Sequence, residues 1–402
     1  IAVLMAAMWG CALEPTEQPT APPSEHNDIV VYTELCKAAL GIEDVTLPPM
    51  NCLDGVEIPL TVGGLPPDEA TYEALTRGEI GCDSPSWFTG HDCENGSVIQ
   101  TLDLSEDVEA ILLCRMRSYT GLQTRQQRRI AYEEEPTLEA YRSLFTFDSV
   151  GMIWTHKETG VTCFFERTAE LYGGYVAAPD DPSLPEAEDL PDPAPPSAFL
   201  SDEEQLAWWR RGAREAWAPP IVVTIAGRCI GCHDGGPFIR TPWLQDLEIV
   251  PPHDPGRPYR AVAAGADILV PPVAISTAAL PGPDGLETPQ ICTGCHRIGA
   301  YRSCREAVPY YTATTVPPGL HDDGVSFRAL ARMPPPSDAW EALDDDALAH
   351  AWDEAFGAHV AMLQCCCDNP NALGCTKQDL RESPLATPVA GQGPASCLDV
   401  VR

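Results

Sequence analysis

Cys229-Ile230-Gly231-Cys232-His233 is one of two places where this chain sets two cysteines three positions apart and follows them at once with histidine. The other is Cys292-Thr293-Gly294-Cys295-His296. Histidine supplies 9 of the 402 residues, so chance alone would put one after both pairs with a frequency on the order of one in two thousand. The spacing has a chemical reason. One turn of backbone presents both thiols to the two vinyl groups of a haem edge, and the adjacent imidazole swings under the porphyrin to bind iron. Cys229, Cys232, Cys292 and Cys295 therefore read as covalent anchors for two c-type haems, with His233 and His296 as iron ligands. The competing chemistries for these residues are a four-thiolate zinc site and plain disulfides.

On these residues the chain resembles the c-type cytochromes. The resemblance implies a distal Met just ahead of a proline-held turn, and Arg332-Met333-Pro334-Pro335-Pro336 supplies one. Thioether ligation opposite His raises a haem's reduction potential. The plainer role for Met333 is filling a gap in a core. Cytochromes c also place a helix ahead of the haem motif and close with another that packs on it. Ser201-Asp202-Glu203-Glu204 is a capping box for the first, with Leu206, Trp209, Ala213 and Ala216 on one face before Pro219-Pro220. Ser337 caps the last, which runs to about Gln364 with Leu348, Ala351, Trp352, Ala355, His359 and Leu363 as its apolar stripe. Between the motifs, Pro237 to Pro289 is rich in Pro and Gly and reads as irregular loops.

The pattern departs from two complete tandem cytochromes. No helix precedes the second motif and one Met serves two irons, so a single intertwined di-haem domain over 201–364 is expected. The haem at Cys229 then takes His253, His321 or His359 opposite His233, or keeps an open site. His253 is favoured because Pro251-Pro252-His253-Asp254-Pro255 is a rigid loop like that of Met333.

Seventeen cysteines suit an oxidising, exported compartment rather than a reducing one. Setting aside the four haem anchors and Cys11 leaves Cys36, Cys52, Cys82, Cys93, Cys114, Cys163, Cys304, Cys365, Cys366, Cys367, Cys375 and Cys397, enough for six disulfides. Cys365-Cys366-Cys367 with Cys375 is also a candidate metal cluster, with disulfides favoured. Residues 1–11 read as a truncated signal peptide ending in a lipobox-like Gly10-Cys11, with a lipid on Cys11 and residues 12–28 as a tether. That places the protein in the periplasm or at the cell surface, held to the outer membrane.

Residues 29–178 read as a cysteine-rich, mostly β domain. Its clearest element is a hairpin, Val150–Thr155, a turn at Lys157-Glu158-Thr159-Gly160, and Val161–Phe165, with a further strand in Val108–Arg117. His91 and His156 are isolated and read as ordinary polar residues. Pro179 to Pro196 carries seven prolines and six acidic residues and forms, within 179–200, an extended linker. Residues 365–402 read as a disulfide-rich tail. The expected fold is thus α+β and multidomain, a disulfide-rich mostly-β domain followed by a mainly α, loop-rich cytochrome c-like domain.

A net charge of −34 argues against nucleic acid as a partner. Residues 29–178 show no nucleophile elbow, phosphate loop, zinc-protease helix or paired catalytic carboxylates. The functional expectation is an exported di-haem carrier passing single electrons between redox proteins. The alternatives are a di-haem peroxidase-like enzyme using an open site at Cys229/Cys232/His233 and a zinc- and disulfide-stabilised surface binding protein.

Overall fold

The computed structural model describes residues 28–48, 50–62, 65–76, 96–116, 125–135, 147, 149–167, 175–176, 179, 217–218, 220–224, 229, 233–238, 258–263, 273–277, 280–281, 287–288, 298–299, 303–304, 345–379, 389–390 and 396–397. The chain divides into two units, one of residues 1–153, 165–223 and 318–326 and the other of residues 154–164, 224–317 and 327–402.

The chain opens on a helix, α1 (Ile29–Leu40). Asp28 caps it by accepting the Val30 amide at 2.8 Å, and Gly41 ends it at φ 70, with its amide turned back to the Ala38 carbonyl. A left-handed residue at this position lets the last carbonyls find donors, and only glycine adopts it without steric cost. Ile29, Tyr32, Cys36 and Leu40 recur at helical spacing and are all buried. After α1 come β1 (Met50–Asn51), a short 3-10 turn (Cys52–Asp54), β2 (Val56–Glu57), α2 (Glu69–Thr76), β3 (Val98–Asp103), β4 (Val108–Arg115) and α3 (Arg125–Glu134). They lead to β5 (Ser149–His156), β6 (Val161–Arg167) and β7 (Tyr175–Val176).

The main sheet has six strands in the order β2-β3-β4-β5-β6-β8, where β8 is Arg260–Ala261. Neighbouring β3 and β4 are antiparallel, Val98 opposite Cys114 and Thr101 opposite Ile111. Ser105 shapes their turn by accepting the amides of Asp107 and Val108. The β5–β6 hairpin forms where the alternation predicts it, one residue earlier at its start and two longer at its end. β8 joins parallel to β6, Val161 opposite Arg260. A β-carbon on Gly160, at φ 65, would fall 1.6 Å from the Pro258 carbonyl oxygen, so this close crossing needs glycine. Inside the hairpin the Thr162 hydroxyl donates to the Gly160 carbonyl. Having one proton, it must accept from Thr155 across the strands at 2.9 Å.

In the first unit Tyr32 and Phe165 pack with ring centroids 5.3 Å apart, and Phe165 meets Trp217 edge-on at 6.1 Å. Cys52–Cys114 ties the 3-10 turn to β4 across 62 positions.

The second unit contains α4 (Pro220–Thr224) only at its margin, through Thr224, and then β9 (Val273–Thr277), β10 (Leu280–Pro281), β11 (Glu287–Thr288), β12 (Ile298–Gly299), α5 (Asp345–Asp368), β13 (Cys375–Asp379) and β14 (Val389–Ala390). β12, β9, β13 and β14 form a four-stranded sheet in that order, all pairs antiparallel. α5 packs on β9. At the end of α5, Cys365, Cys366 and Cys367 bond to Cys397, Cys375 and Cys304 respectively. Successive helical residues point about 100° apart, so three neighbours need three partners on three sides.

These findings overturn the expected fold class. A helix opens the stretch expected to be mostly β, and the stretch expected to be a mainly α, loop-rich cytochrome c-like domain holds strands. β9, β10 and β11 lie where Pro and Gly content suggested irregular loops; β10 pairs with β11, and β9 pairs with β12 and, far along the chain, with β13. Composition missed them because short strands gain stability from a distant partner. The expected capped helix at 201–216 and residues 337–344 lie outside the described residues. No helix among the described residues is long and apolar enough to cross a membrane.

Candidate haem-anchoring site

His233 donates nothing to chance in its placement. Its amide bonds to the Cys229 carbonyl at 2.8 Å, which is one helical turn. The motif's first thiol and its imidazole are thereby set on a common turn of backbone. Cys229 is a half-buried thiol. The His233 Nδ1 lies 2.7 Å from the Pro237 carbonyl oxygen. A carbonyl accepts only, so Nδ1 carries a proton, and in the neutral ring Nε2 is left with the lone pair. A metal-binding histidine characteristically has its second nitrogen held by such an acceptor, which fixes the tautomer and makes the ligand more basic. Phe164 of β6, 1% exposed, packs on the ring at 5.2 Å with the planes tilted by 52° and restrains its swing. These residues fit a haem held by thioether bonds and a proximal imidazole.

The residue after the histidine is also placed with care. Asp234 is 2% exposed. Its carboxylate accepts the Ser303 hydroxyl at 2.5 Å and the Ser303 amide at 3.3 Å. A β-carbon on Gly299 would lie 2.0 Å from Asp234 Oδ1 and 2.6 Å from its carbonyl carbon, so Gly299 lets the two backbones meet. Ser303 adjoins Cys304, which the disulfide to Cys367 fixes to α5.

Of the expected site residues, Cys229 and His233 are brought together. Cys232, Cys292, Cys295, His296, Met333, His253 and His321 lie outside the described residues, as do Cys11, Cys82, Cys93 and His91. His359, on α5, is 9% exposed, and burial holds its imidazole below the usual range, favouring the neutral ring. His156 accepts the amides of Glu158 and Thr159 and stiffens the hairpin turn, an ordinary polar role.

Ten of the twelve cysteines expected to be oxidised are in disulfides: Cys36, Cys52, Cys114, Cys163, Cys304, Cys365, Cys366, Cys367, Cys375 and Cys397. The sulfurs of Cys366, Cys375 and Cys397 lie within 4.8 Å of one another, yet each is bonded to sulfur. A metal would need the thiolates, so this cluster is a structural knot. Arg167, 5% exposed at the end of β6, was not singled out in the sequence. Burial pushes its guanidinium down to about 10, which leaves it charged at neutral pH.

Sequence reasoning also missed Pro237, Asp234, Gly299 and Ser303. Asp234-Gly235-Gly236-Pro237 carries a legible turn signal, able to bring a carbonyl back toward His233. The Asp234–Ser303 bond spans 69 positions and leaves no local trace. No family model, curated protein or solved structure matches this chain.

Proposed function

We propose that the chain binds two c-type haems, one at Cys229/Cys232/His233 and one at Cys292/Cys295/His296, and passes single electrons between redox proteins. The observation that carries this is the His233 imidazole, held through Nδ1 by the Pro237 carbonyl at 2.7 Å one helical turn after a cysteine. That is the preparation a proximal ligand needs. The repetition of the motif and the place of Cys229 outside the disulfides add support.

Bound haem supplies one chemistry here, the one-electron change between ferric and ferrous iron. The chain does the rest. Cys229 and Cys232 offer the thiols that anchor the ring, His233 presents Nε2 toward iron, and Pro237 sets its tautomer. Phe164 holds the imidazole plane and excludes water from one side of it. His296 would have the same role in the second motif, and Met333 and His253 would be the further ligands offered to the two haems. The cytochrome c fold forms no part of this reading, because the second unit is built on an antiparallel sheet. Many disulfides support an oxidising, exported setting, and the acidic surface suits cationic redox partners.

The test is a visible spectrum and pyridine haemochrome assay on the full chain made in a host with the haem-attachment machinery. Two covalent haems per chain are expected, falling to one in the double variant C229A/C232A. A colourless protein carrying zinc would overturn the proposal.

A further inference from the structure

The two motifs stand far apart in sequence, yet the segments that follow them meet. Asp234 comes directly after His233, and Gly299 and Ser303 come three and seven positions after His296. Asp234 is buried, bonded twice to Ser303, and packed so closely on Gly299 that no β-carbon fits between them. The far side of this junction is braced as well. β12 pairs with β9, Ile298 opposite Ile275, and Cys304 is bonded to Cys367 of α5.

Chain geometry turns that junction into a limit. Consecutive Cα atoms are about 3.8 Å apart and three residues of extended chain span at most about 11 Å. The contact between Gly299 and Asp234 adds about 6 Å at most, from one Cα to the other, by ordinary bond lengths. The Cα atoms of His233 and Gly299 are therefore within about 10 Å of each other, and in sequence Gly299 follows His296 by only three positions.

We infer that the two motifs form one paired centre, in which Asp234, clamped to Ser303 and Gly299, is the positioning residue that holds the two haems beside each other. This rests on the haem reading above and adds to it. With both haems bound, such a centre would supply one-electron exchange within one protein body, with no partner needed for it. Asp234 touches neither iron in this role and acts through the backbone of His233.

Circular dichroism in the Soret band of the oxidised full-length holoprotein tests this, because two haems held close in a fixed arrangement give a paired positive and negative signal. The wild type is expected to show that pair. Each single-motif variant, C229A/C232A or C292A/C295A, is expected to show one sign only. S303A and D234N are expected to keep two haems by the haemochrome assay while the paired signal collapses, and S303T, which retains a hydroxyl, is expected to restore it. If the wild type holds two haems and its spectrum equals the sum of the single-motif variants, the pairing is wrong and the haem reading stands. An unchanged paired signal in both S303A and D234N removes Asp234 from its positioning role. If no haem is attached, both proposals fall together.

Discussion

The six-stranded sheet and the cysteine corner at the end of α5 solve the same problem by different means. In the sheet, β3 meets β4 and β5 meets β6 through short turns, so much of the pairing is local in sequence and cheap in loop entropy. Large side chains such as Trp154, Phe147, Phe164 and Phe165 are buried around it. At the corner, β9 pairs with β13 across about a hundred residues, and three neighbouring disulfides hold α5, β13 and residues 304 and 397 in place. The lesson is that local pairing can rest largely on aromatic burial, whereas at the corner the distant pairing of β9 with β13 is accompanied by three disulfides.

The comparison breaks first at the disulfides. Removing Cys304–Cys367, which closes 63 positions, is expected to cost about 4 kcal/mol in denaturant unfolding. Cys366–Cys375 closes 9 and its removal is expected to cost about 2.5 kcal/mol. An equal loss from both would show that strain or packing, and not loop closure, sets their value. Cys52→Ala with Cys114→Ala also opens a long loop, and the sheet is expected to stay folded at 25 °C, as read by near-ultraviolet circular dichroism.

Next in size is Gly160→Ala. It puts a side chain at φ 65 against the Pro258 carbonyl, and a loss of about 3 kcal/mol is expected together with detachment of β8. Hydrogen exchange at the Arg260 and Val262 amides, which bond to Gly160 and Thr162, reads the detachment directly. A smaller effect is expected from Asp28→Ala, which removes the cap of α1 and costs about 1 kcal/mol. A full loss of Tyr32 packing in that variant would mean that α1 depends on its cap more than on its buried face.

The last prediction concerns pH. Burial keeps His359 neutral in the fold, below its ordinary 6.5. As pH falls past that value the unfolded chain takes up a proton before the folded one does, so stability is greatest above it and declines below. Urea titrations at a series of pH values are expected to show this slope, and His359→Leu is expected to flatten it. An equal slope in the variant would place the sensitivity elsewhere.

Much of this was legible in the residues. Alternation in Val150–Phe165 with a turn at Thr159-Gly160 specified a hairpin, because the side-chain period of a strand and the positive φ of its turn are both local properties. An even remainder of cysteines specified disulfides, though their pairing depended on which side chains the fold brought within bonding range. The helix ending near Gln364 was visible in its stripe, and it runs on to Asp368 to carry the cysteine triplet.

The sequence by itself determined the two thiol-and-imidazole motifs, the oxidised cysteines and the hairpin, since each is a matter of spacing within a few residues. Only the tertiary structure decided that the second unit is a sheet, that Pro237 sets the tautomer of His233, and that Asp234 meets Ser303. The physical reason is range. Hydrogen bonds between residues 69 positions apart, and strands of two residues that exist only through a remote neighbour, form when the whole chain has folded, and no local pattern encodes them.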